Sequence, residues 1–342
     1  MGHPMYDAMM AETISITGHG GDQIEAYLAR PLGPGPYGGV VVIHHMPGYD
    51  EGSKEITRKF AAHGYLAICP NLHYREAPGA SPDDAAAASR AQGGVPDDRL
   101  VGDVAGAAAY LRAMPASNGK AGTIGYCSGG RQSFLAACRL PLDAAVDCYG
   151  AFVIGPPPEG MPLKVGPIVH LAKDLSCPLL GLFGDDDSYP APDEVAELDK
   201  VLTEAGKPHE FHSYEGAGHA FFAVNRPSYR PEAAVDGWQK IWDFYGRFLA
   251  GRAEAVMCTY RTEKLAVEGS GKGAAGWFGL TEATVYFDHP QHARAEHTLN
   301  IDFLNPGEGP AARVAVELSA DSARALAAAI ESALSSAPPG LV

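Results

Sequence analysis

The sequence predicts an α/β fold with a mainly parallel, doubly wound sheet, followed by a small C-terminal β-rich α+β domain. From about residue 12 to residue 250, short apolar runs alternate with amphipathic stretches, as strands and helices do in such folds. Near residue 253 the pattern changes to alternating strand-like segments that are joined by glycine-rich turns. We therefore expect two domains, which cover residues 1–252 and 253–342.

The first half of the chain contains a predicted hairpin and the first buried strands. The hairpin is predicted by ISITG and IEAYLARP, and a buried parallel strand by the β-branched run GGVVVIHHMPG, which ends at a Pro-Gly pair. A helix is expected in SKEITRKFAAHG, and the next strand in YLAICPNL. The segment DDRLVGDVAGAAAYLRAM has helical periodicity. Its first residues are acidic, as is preferred at helix N-termini.

The rest of the first domain continues this alternation. Further strands are predicted in AGTIGY, AAVDCYG, CPLLGLFGDDD and HEFHSYEG, and helices in PDEVAELDKVLTEAG and AAVDGWQKIWDFYGRFLAG. The C-terminal domain is expected to end with the helix SADSARALAAAIESALSS, which has a serine cap and acidic residues in its first turns. Alternation of this kind implies a parallel sheet that is covered by helices on both faces.

Composition limits the classes of partner and the cellular compartment. Of the 342 residues, 46% are hydrophobic, and the formal net charge of −15 argues against binding to nucleic acid or to an anionic membrane. No run approaches the roughly 20 apolar residues that a membrane span needs, and the N-terminus lacks the pattern of a signal peptide. Six scattered cysteines indicate reduced thiols, and a cytoplasmic protein is expected.

The segment GTIGYCSGG places Cys127 between an apolar run and a segment with helical spacing. Glycines two residues before and two residues after the cysteine suit a sharp turn from a strand into a helix. Such an elbow holds the side chain above the end of the strand and next to the free N–H groups at the start of the helix. The pattern predicts that Cys127 is a catalytic nucleophile.

Two further positions complete a candidate triad. Asp187 follows a predicted strand in GLFGDDDSYP, and His219 follows the next strand in EGAGHAFF. Loops at the carboxyl ends of parallel strands meet at one edge of the sheet. The chain order nucleophile, aspartate, histidine is the order expected for the α/β-hydrolase arrangement. Most acidic residues in such a run are only solvated side chains of a turn, so the choice within the run is open. Asp186 is the alternative to Asp187.

The residue types suit acyl transfer. A free thiol has a pKa of about 8.5, so without a neighbouring histidine only a small fraction of the thiol is ionised at neutral pH. His219 is expected to act as the base and later to protonate the leaving group, while Asp187 fixes the imidazole tautomer. The backbone N–H groups of Ser128 and Met46 are the expected oxyanion donors, and one such donor contributes about 3–4 kcal/mol.

These motifs identify a resemblance that covers about two-thirds of the chain. Residues 12–250 closely resemble the dienelactone hydrolases (carboxymethylenebutenolidases), which are cysteine-dependent members of the α/β-hydrolase fold. GYCSGG matches the family's Gly-x-Cys-x-Gly-Gly elbow, GDDD its Gly-x-x-Asp, and GAGHAF its histidine loop. The resemblance implies hydrolysis of an enol-lactone ring to a keto acid, without a cofactor or a metal.

The resemblance also implies substrate-binding residues. PNLHYREAPG is similar to the family segment that holds an arginine for the substrate carboxylate, which falls on Arg75, and Tyr149 in DCYG matches an aromatic residue of the family pocket. Where the family commonly has a glutamate that interacts with the resting thiol, this chain has His45, which can also accept the thiol proton. A second family arginine is replaced by Ala223, and the nearby candidates to substitute for it are Arg226, Tyr229 and Arg230.

The C-terminal segment resembles a small family, sometimes found as a stand-alone protein, for which we infer no activity. The stretch DHPQHARAEH contains metal-capable side chains, but their spacing matches no standard site, and no metal is expected: Asp288, His289, His292, Glu296 and His297. A role of this domain in forming a homodimer, or in covering the hydrolase cleft, is a hypothesis. An extension packed on the first domain is the alternative to an independent domain.

The sequence thus predicts a cysteine-dependent hydrolase of a small ester or lactone that carries a carboxylate, acting through an acyl-enzyme. One alternative is a thioesterase or carboxylesterase that uses the same triad on another acyl group. A second is a non-catalytic redox or ligand-binding protein in which Cys127 is a reactive thiol.

Overall fold

Two compact units make up the chain, Met1–Ala253 and Glu254–Val342. The computed structural model describes residues 8–33, 35–250, 263–273, 276–288, 293, 298–309 and 312–338. Among these residues, no helix is long and apolar enough to cross a membrane. Five of the cysteines are free thiols, and Cys258 lies outside the described residues.

The first unit is built on an eight-stranded sheet in the spatial order β1-β2-β4-β3-β5-β6-β7-β8. In chain order its strands are β1 Met9–Thr17, β2 Gln23–Pro31, β3 Tyr37–Ile43, β4 Leu66–Pro70, β5 Ser117–Tyr126, β6 Ala144–Cys148, β7 Leu179–Gly184 and β8 His209–Tyr214. Strand β2 pairs antiparallel with β1 and with β4, and every other neighbouring pair is parallel. The predicted mainly parallel sheet and the opening hairpin are confirmed.

Helices cover both faces of this sheet: α1 Glu51–Ala62, α2 Pro82–Gln92, α3 Asp97–Ala113, α4 Ser128–Arg139, α5 Pro192–Glu204 and α6 Pro231–Phe248. Strand β3 shows how the sequence produces two apolar cores, because successive side chains of a strand point to opposite faces. Val41 lies in one core, with α3, α4 and α5, whereas Val40 lies in the other, with Phe60 of α1 and Tyr245 of α6. Burial of each large apolar side chain contributes about 1.5–3 kcal/mol.

Helix α2 has no counterpart among the predicted elements, although its ends carry ordinary helix chemistry. The N–H of Asp84 donates to the Ser81 hydroxyl at 3.2 Å, Pro82 is the first helical residue, and Gly93 ends the helix with a φ of 100°. The buried face consists of two alanines and Ser89. Because large apolar residues are missing from that face, apolar periodicity did not reveal the helix.

The described residues of the second unit form a four-stranded antiparallel sheet in the order β12-β11-β10-β9 and one α-helix. Its elements are β9 Glu263–Gly273, β10 Gly276–Asp288, β11 Thr298–Leu304, β12 Arg313–Leu318 and α7 Ala320–Ser335. The predicted serine cap is present, since the N–H of Ser322 donates to the Ser319 hydroxyl at 3.2 Å. The side chain of Asp288 and the other metal-capable residues of that stretch, His289, His292, Glu296 and His297, lie outside the described residues.

Candidate active site

Cys127 lies at a sharp turn between β5 and α4. Its φ of 58° and ψ of −123° are values that residues with a side chain rarely adopt, and such backbone strain costs about 1–3 kcal/mol. Two backbone hydrogen bonds hold the turn. The N–H of Cys127 donates to the carbonyl of Cys148 at 3.0 Å, and the N–H of Gly130 donates to the carbonyl of Cys127 at 2.9 Å.

The glycines around Cys127 are required by the close approach of neighbouring backbone. A Cβ atom on Gly125 would lie 1.8 Å from the carbonyl oxygen of Gly129, and one on Gly129 would lie 2.4 Å from the carbonyl oxygen of Ile43. No side chain fits at such distances. The spacing of glycines in the sequence therefore reflects the packing of β5, α4 and β3 at the elbow.

Asp187 and His219 form a hydrogen-bonded pair at the carboxyl ends of β7 and β8. The Nδ1 atom of His219 lies 2.8 Å from Oδ2 of Asp187, whose side chain is only 2% exposed. The other carboxylate oxygen of Asp187 accepts a hydrogen bond from the N–H of Tyr189 at 2.9 Å. Both carboxylate oxygens therefore have a partner, which fixes the orientation of the carboxylate toward the imidazole.

Burial and interactions with two neighbouring residues set the pKa of His219. Burial alone would lower it, but hydrogen bonds to the Asp187 carboxylate and to Cys127 outweigh burial and raise the pKa to about 10. Since an imidazole outside a protein has a pKa of about 6.5, His219 carries a proton at neutral pH in this arrangement.

An NMR titration of the histidine ring protons tests this protonation state. The resonance that disappears in His219→Gln is expected to titrate near pH 10, whereas a midpoint near the ordinary value would contradict the structure.

The same proton affects the stability of the fold. Because the pKa of His219 is higher in the folded than in the unfolded protein, this proton stabilises the fold fully below about pH 6.5. The contribution is lost as the pH rises toward 10, so the stability difference between wild type and His219→Gln is expected to shrink over that range.

A cavity of about 430 Å³ is lined by the residues of the candidate triad. Its wall includes Cys127, Asp187 and His219, so the structure brings the candidate triad together on one surface. Met46, which follows β3, and Ser128, the first residue of α4, also line it. The N–H of Ser128 is one of the unpaired donors at the start of that helix, which suits the predicted oxyanion role of these two residues.

Arg75 does not reach this cavity. Its Nη1 and Nη2 atoms donate to the two carboxylate oxygens of Asp103 at 2.8 and 3.0 Å, and its Nε donates to Asp22 at 2.8 Å. Arg75 is also not among the described residues that line the cavity. The guanidinium is bound to two carboxylates that tie α3 to the turn after β1, and the binding of a substrate carboxylate by Arg75 stays a prediction.

His45 and Tyr149, the two other predicted substrate-binding residues, do not line the cavity either. The Nε2 atom of His45 lies 2.7 Å from Oδ2 of Asp50, the residue that caps α1, so the ring is held at that helix. Tyr149 is 2% exposed, and its ring centre lies 5.1 Å from that of His219. His45 contacts the residue that caps α1, Tyr149 packs against the imidazole, and their roles as substrate contacts stay predictions.

The residues that could substitute for the second family arginine follow His219 in the chain, and none of them is among the described residues that line the cavity. Arg226 is exposed, and Tyr229 is partly buried. Arg230 donates hydrogen bonds from its side chain to the carbonyl oxygens of Gly216, Pro227 and Tyr229. The structure thus places Arg230 in a structural role for the loop and gives none of the three a position on the cavity surface.

Several cavity residues were not predicted. They come from α2 and from the segment between β6 and β7: Ser89, Arg90, Phe152, Met161, Leu163 and Val165. The capping residues of α2 could have revealed the helix, but not the direction of its side chains. The segment between β6 and β7 contains only a short 3-10 helix, Val169–Asp174, so it offers no periodicity from which its contacts could be inferred.

A comparison with known protein families agrees with this fold. A family model described as the dienelactone hydrolase family matches residues 24–249, which is more than half of the chain. The chain belongs to the dienelactone hydrolase family. The predicted resemblance and the predicted class of enzyme, a hydrolase, are thereby confirmed.

Relatives within the dienelactone hydrolase family match the first unit over nearly their whole length. A putative carboxymethylenebutenolidase of Escherichia coli K12 is 34% identical over 248 residues, which cover 71% of this chain and 89% of that protein. The carboxymethylenebutenolidase of Pseudomonas putida is 31% identical over 245 residues, covering 69% and 96%. The crystal structure of a putative dienelactone hydrolase from Klebsiella pneumoniae superposes with a TM-score of 0.62 at 31% identity, covering 71% of this chain and all of that one.

The C-terminal segment matches a different model. Residues 257–342 match a family described as having unknown function, DUF6295. The predicted resemblance of this segment to a family without an assigned activity is confirmed. The family match of the first unit therefore ends close to where the second compact unit begins.

Proposed function

We propose that this hydrolase cleaves a small carboxylic ester or lactone through an acyl-enzyme on Cys127, with His219 as the acid–base group and Asp187 as the orienting acid. The observation that supports the proposal is the hydrogen bond between Asp187 and His219, with both residues and Cys127 on the wall of one cavity. A cysteine with such partners at a strained elbow suits nucleophilic catalysis, whereas the other described cysteines are buried.

The first half of the reaction forms the acyl-enzyme. An imidazolium beside a thiol favours the thiolate, and the sulfur attacks the carbonyl carbon of the substrate. The carbonyl oxygen becomes an oxyanion, for which the N–H groups of Ser128 and Met46 are the proposed donors. When the carbon–oxygen bond breaks, Nε2 of His219 gives its proton to the leaving alkoxide, because Nδ1 is held by Asp187.

The second half regenerates the thiolate. A water molecule gives a proton to His219 and attacks the thioester carbonyl, and the thiolate then leaves as the carboxylic acid forms. In an ester the alcohol departs after the first half. In a lactone the alcohol remains attached to the acyl group, so the second half releases a single hydroxy acid. When the ring is an enol lactone, this product is the keto tautomer of the hydroxy acid.

Trapping the acyl-enzyme tests the proposal directly. Wild-type protein is mixed with an aryl acetate, quenched in acid within the first turnover and digested with trypsin. We expect one acetyl group on the peptide of residues 121–131, in which Cys127 is the only cysteine. The Cys127→Ala protein is the control and is expected to carry no label. Steady turnover without label on this peptide would refute the acyl-enzyme on Cys127.

A substrate panel identifies the acyl class that the site accepts. Lactones, aryl esters and thioesters of similar size are compared by kcat/KM, since this ratio measures selectivity between competing substrates. Preference for lactones or oxygen esters supports the proposal. Preference for thioesters would instead favour a thioesterase that uses the same three residues. If no substrate is cleaved while Cys127 is alkylated rapidly, the protein is a reactive-thiol or ligand-binding protein.

A further inference from the structure

The cavity beside Cys127 has a mostly apolar wall. Its apolar residues come from the turn after β3, from the residues that follow α2 and from the segment between β6 and β7: Met46, Val95, Phe152, Met161, Leu163 and Val165. Val95 is 7% exposed and belongs to the apolar core, so this part of the wall is continuous with the interior of the protein. A mostly apolar wall with a few polar groups is typical of cavities that bind small molecules.

The polar residues on the wall expose few polar atoms to the cavity. The Oγ atom of Ser89, the Nδ1 atom of His73 and the Oε1 atom of Gln132 are all buried. His73 is uncharged at neutral pH, because burial lowers its pKa to about 4. Arg131 is 3% exposed, and its Nη1 and Nη2 atoms donate to the two carboxylate oxygens of Asp97 at 2.8 and 3.0 Å. These groups therefore offer little polar surface to a ligand.

The acid–base pair lies on one side of Cys127 along the sheet. Cys127 follows β5, whereas Asp187 and His219 follow β7 and β8. In the spatial order of the strands, β7 and β8 both lie on the β6 side of β5. Because His219 is proposed to protonate the leaving group, the alcohol part of an ester is expected on this side of the nucleophile.

Helix α2 and the segment that adjoins it lie on the other side. Strands β3 and β4 flank β5 opposite β6, and α2 packs on the turn after β3, since a Cβ atom on Gly48 would lie 3.2 Å from the carbonyl oxygen of Pro82. The N–H of Lys164 donates to the carbonyl of Gly93, the residue that ends α2, at 2.8 Å. The segment that contains Leu163 is thereby joined to α2. The acyl part of an ester, which points away from the leaving group, faces this apolar part of the wall.

We propose that this wall binds an apolar acyl group, and that the preferred substrates are esters or lactones whose acyl part carries an alkyl chain. The inference rests on the proposed function and names the substrate class of that site. A charged end on the acyl group is disfavoured, because the protein has a net charge of −15 and because Asp186 and Asp187 line the same cavity. Each methylene group that becomes fully buried is expected to raise kcat/KM about fourfold.

Aryl esters that share one leaving group test this preference. The acetate, butyrate and hexanoate differ only in the length of the acyl chain, and kcat/KM is expected to rise by about tenfold or more from the first to the last. The mono-aryl ester of adipic acid carries a carboxylate at the end of a similar chain and is expected to react at least about tenfold more slowly than the hexanoate. Because Arg90 also lines the cavity, a preference for the adipate is the result that would overturn the inference. A rate that does not rise with chain length would overturn it as well.

Variants of the wall locate the binding site of the chain. Val165→Gln places a polar amide on the wall and is expected to lower the ratio of kcat/KM for the hexanoate to that for the acetate about 5- to 10-fold. Leu163→Gln makes a similar change at a neighbouring position and takes its place if Val165→Gln does not fold.

Val235→Gln is the matched control. Val235 is 68% exposed on α6 and is not among the described residues that line the cavity, so this variant is expected to leave the ratio unchanged. The inference fails if the wall variants keep the ratio of the wild type, or if Val235→Gln lowers it as much as they do.

The outcome can be separated from that of the proposed function. Hydrolysis of every ester in the series is expected to be lost in Cys127→Ala. If Cys127→Ala cleaves the esters as well as wild type does, the proposed function fails, whatever the effect of chain length. If hydrolysis depends on Cys127 but does not increase with the length of the acyl chain, only the apolar acyl site fails.

Discussion

Replacing Cys127 with alanine is expected to lower kcat/KM for ester hydrolysis by about 10⁴-fold or more, because removal of a catalytic nucleophile abolishes the covalent route. The remaining rate would come from binding and from the oxyanion donors alone. The measurement is the initial rate on an aryl ester, with the variant purified away from any trace of wild-type enzyme. Since alanine fits wherever cysteine does, the fold is expected to be retained, and this is checked by thermal unfolding.

Cys177→Ala is the matched control for this experiment. Cys177 is 5% exposed, it lies in the core with α4 and α5, and burial raises the pKa of its thiol to about 12. Its removal is expected to cost some stability and to leave kcat and KM nearly unchanged. An equal loss of activity in both variants would indicate a general effect of cysteine removal and would count against Cys127 as the nucleophile.

Replacing Asp187 with asparagine is expected to have the second-largest effect. Asparagine keeps the size of the side chain but removes the negative charge that holds Nδ1 of His219 at 2.8 Å. Because the tautomer and the charged form of the imidazole then lose their support, kcat is expected to fall by roughly 10³- to 10⁴-fold. KM is expected to change little, since Asp187 acts on the histidine rather than on the bound substrate.

Asp186→Asn is the control, because it makes the same substitution at the neighbouring residue of the same cavity. Asp186 is exposed and Asp187 is buried, which is why only the latter can orient His219 in a water-poor environment. Little change in kcat is expected for Asp186→Asn. If that variant loses more activity than Asp187→Asn, the orienting acid is Asp186. A histidine titration on Asp187→Asn adds a second test, since the pKa of His219 is expected to fall from about 10.

The parallel sheet and the elbow could be predicted because they depend on short-range patterns. The run from Val40 to Ile43 is apolar on both faces, as a strand covered by helices must be. The glycines beside Cys127 are required where backbone segments approach closely, so their spacing in the sequence indicates a tight turn in the structure. The same holds for Asp187 and His219, whose positions just after strands bring them to one edge of the sheet.

The ion pairs of Arg75 could not be predicted, because they join residues that are distant in sequence. Nothing in the segment around Arg75 indicates that Asp22 and Asp103 occupy its guanidinium. His45 is a different case, because its partner Asp50 is only five residues away but is also the cap of helix α1.

The reacting groups and the outer wall of the cavity come from different parts of the chain. Cys127, Asp187 and His219 each follow a strand, whereas Arg90 belongs to α2, and Leu163 to the segment between β6 and β7. Mutagenesis libraries confined to residues 82–95 and 152–165 would thus vary the outer wall of the cavity while leaving the proposed catalytic residues unchanged. Laboratory evolution of new selectivities can begin there, with the strand order of the sheet untouched.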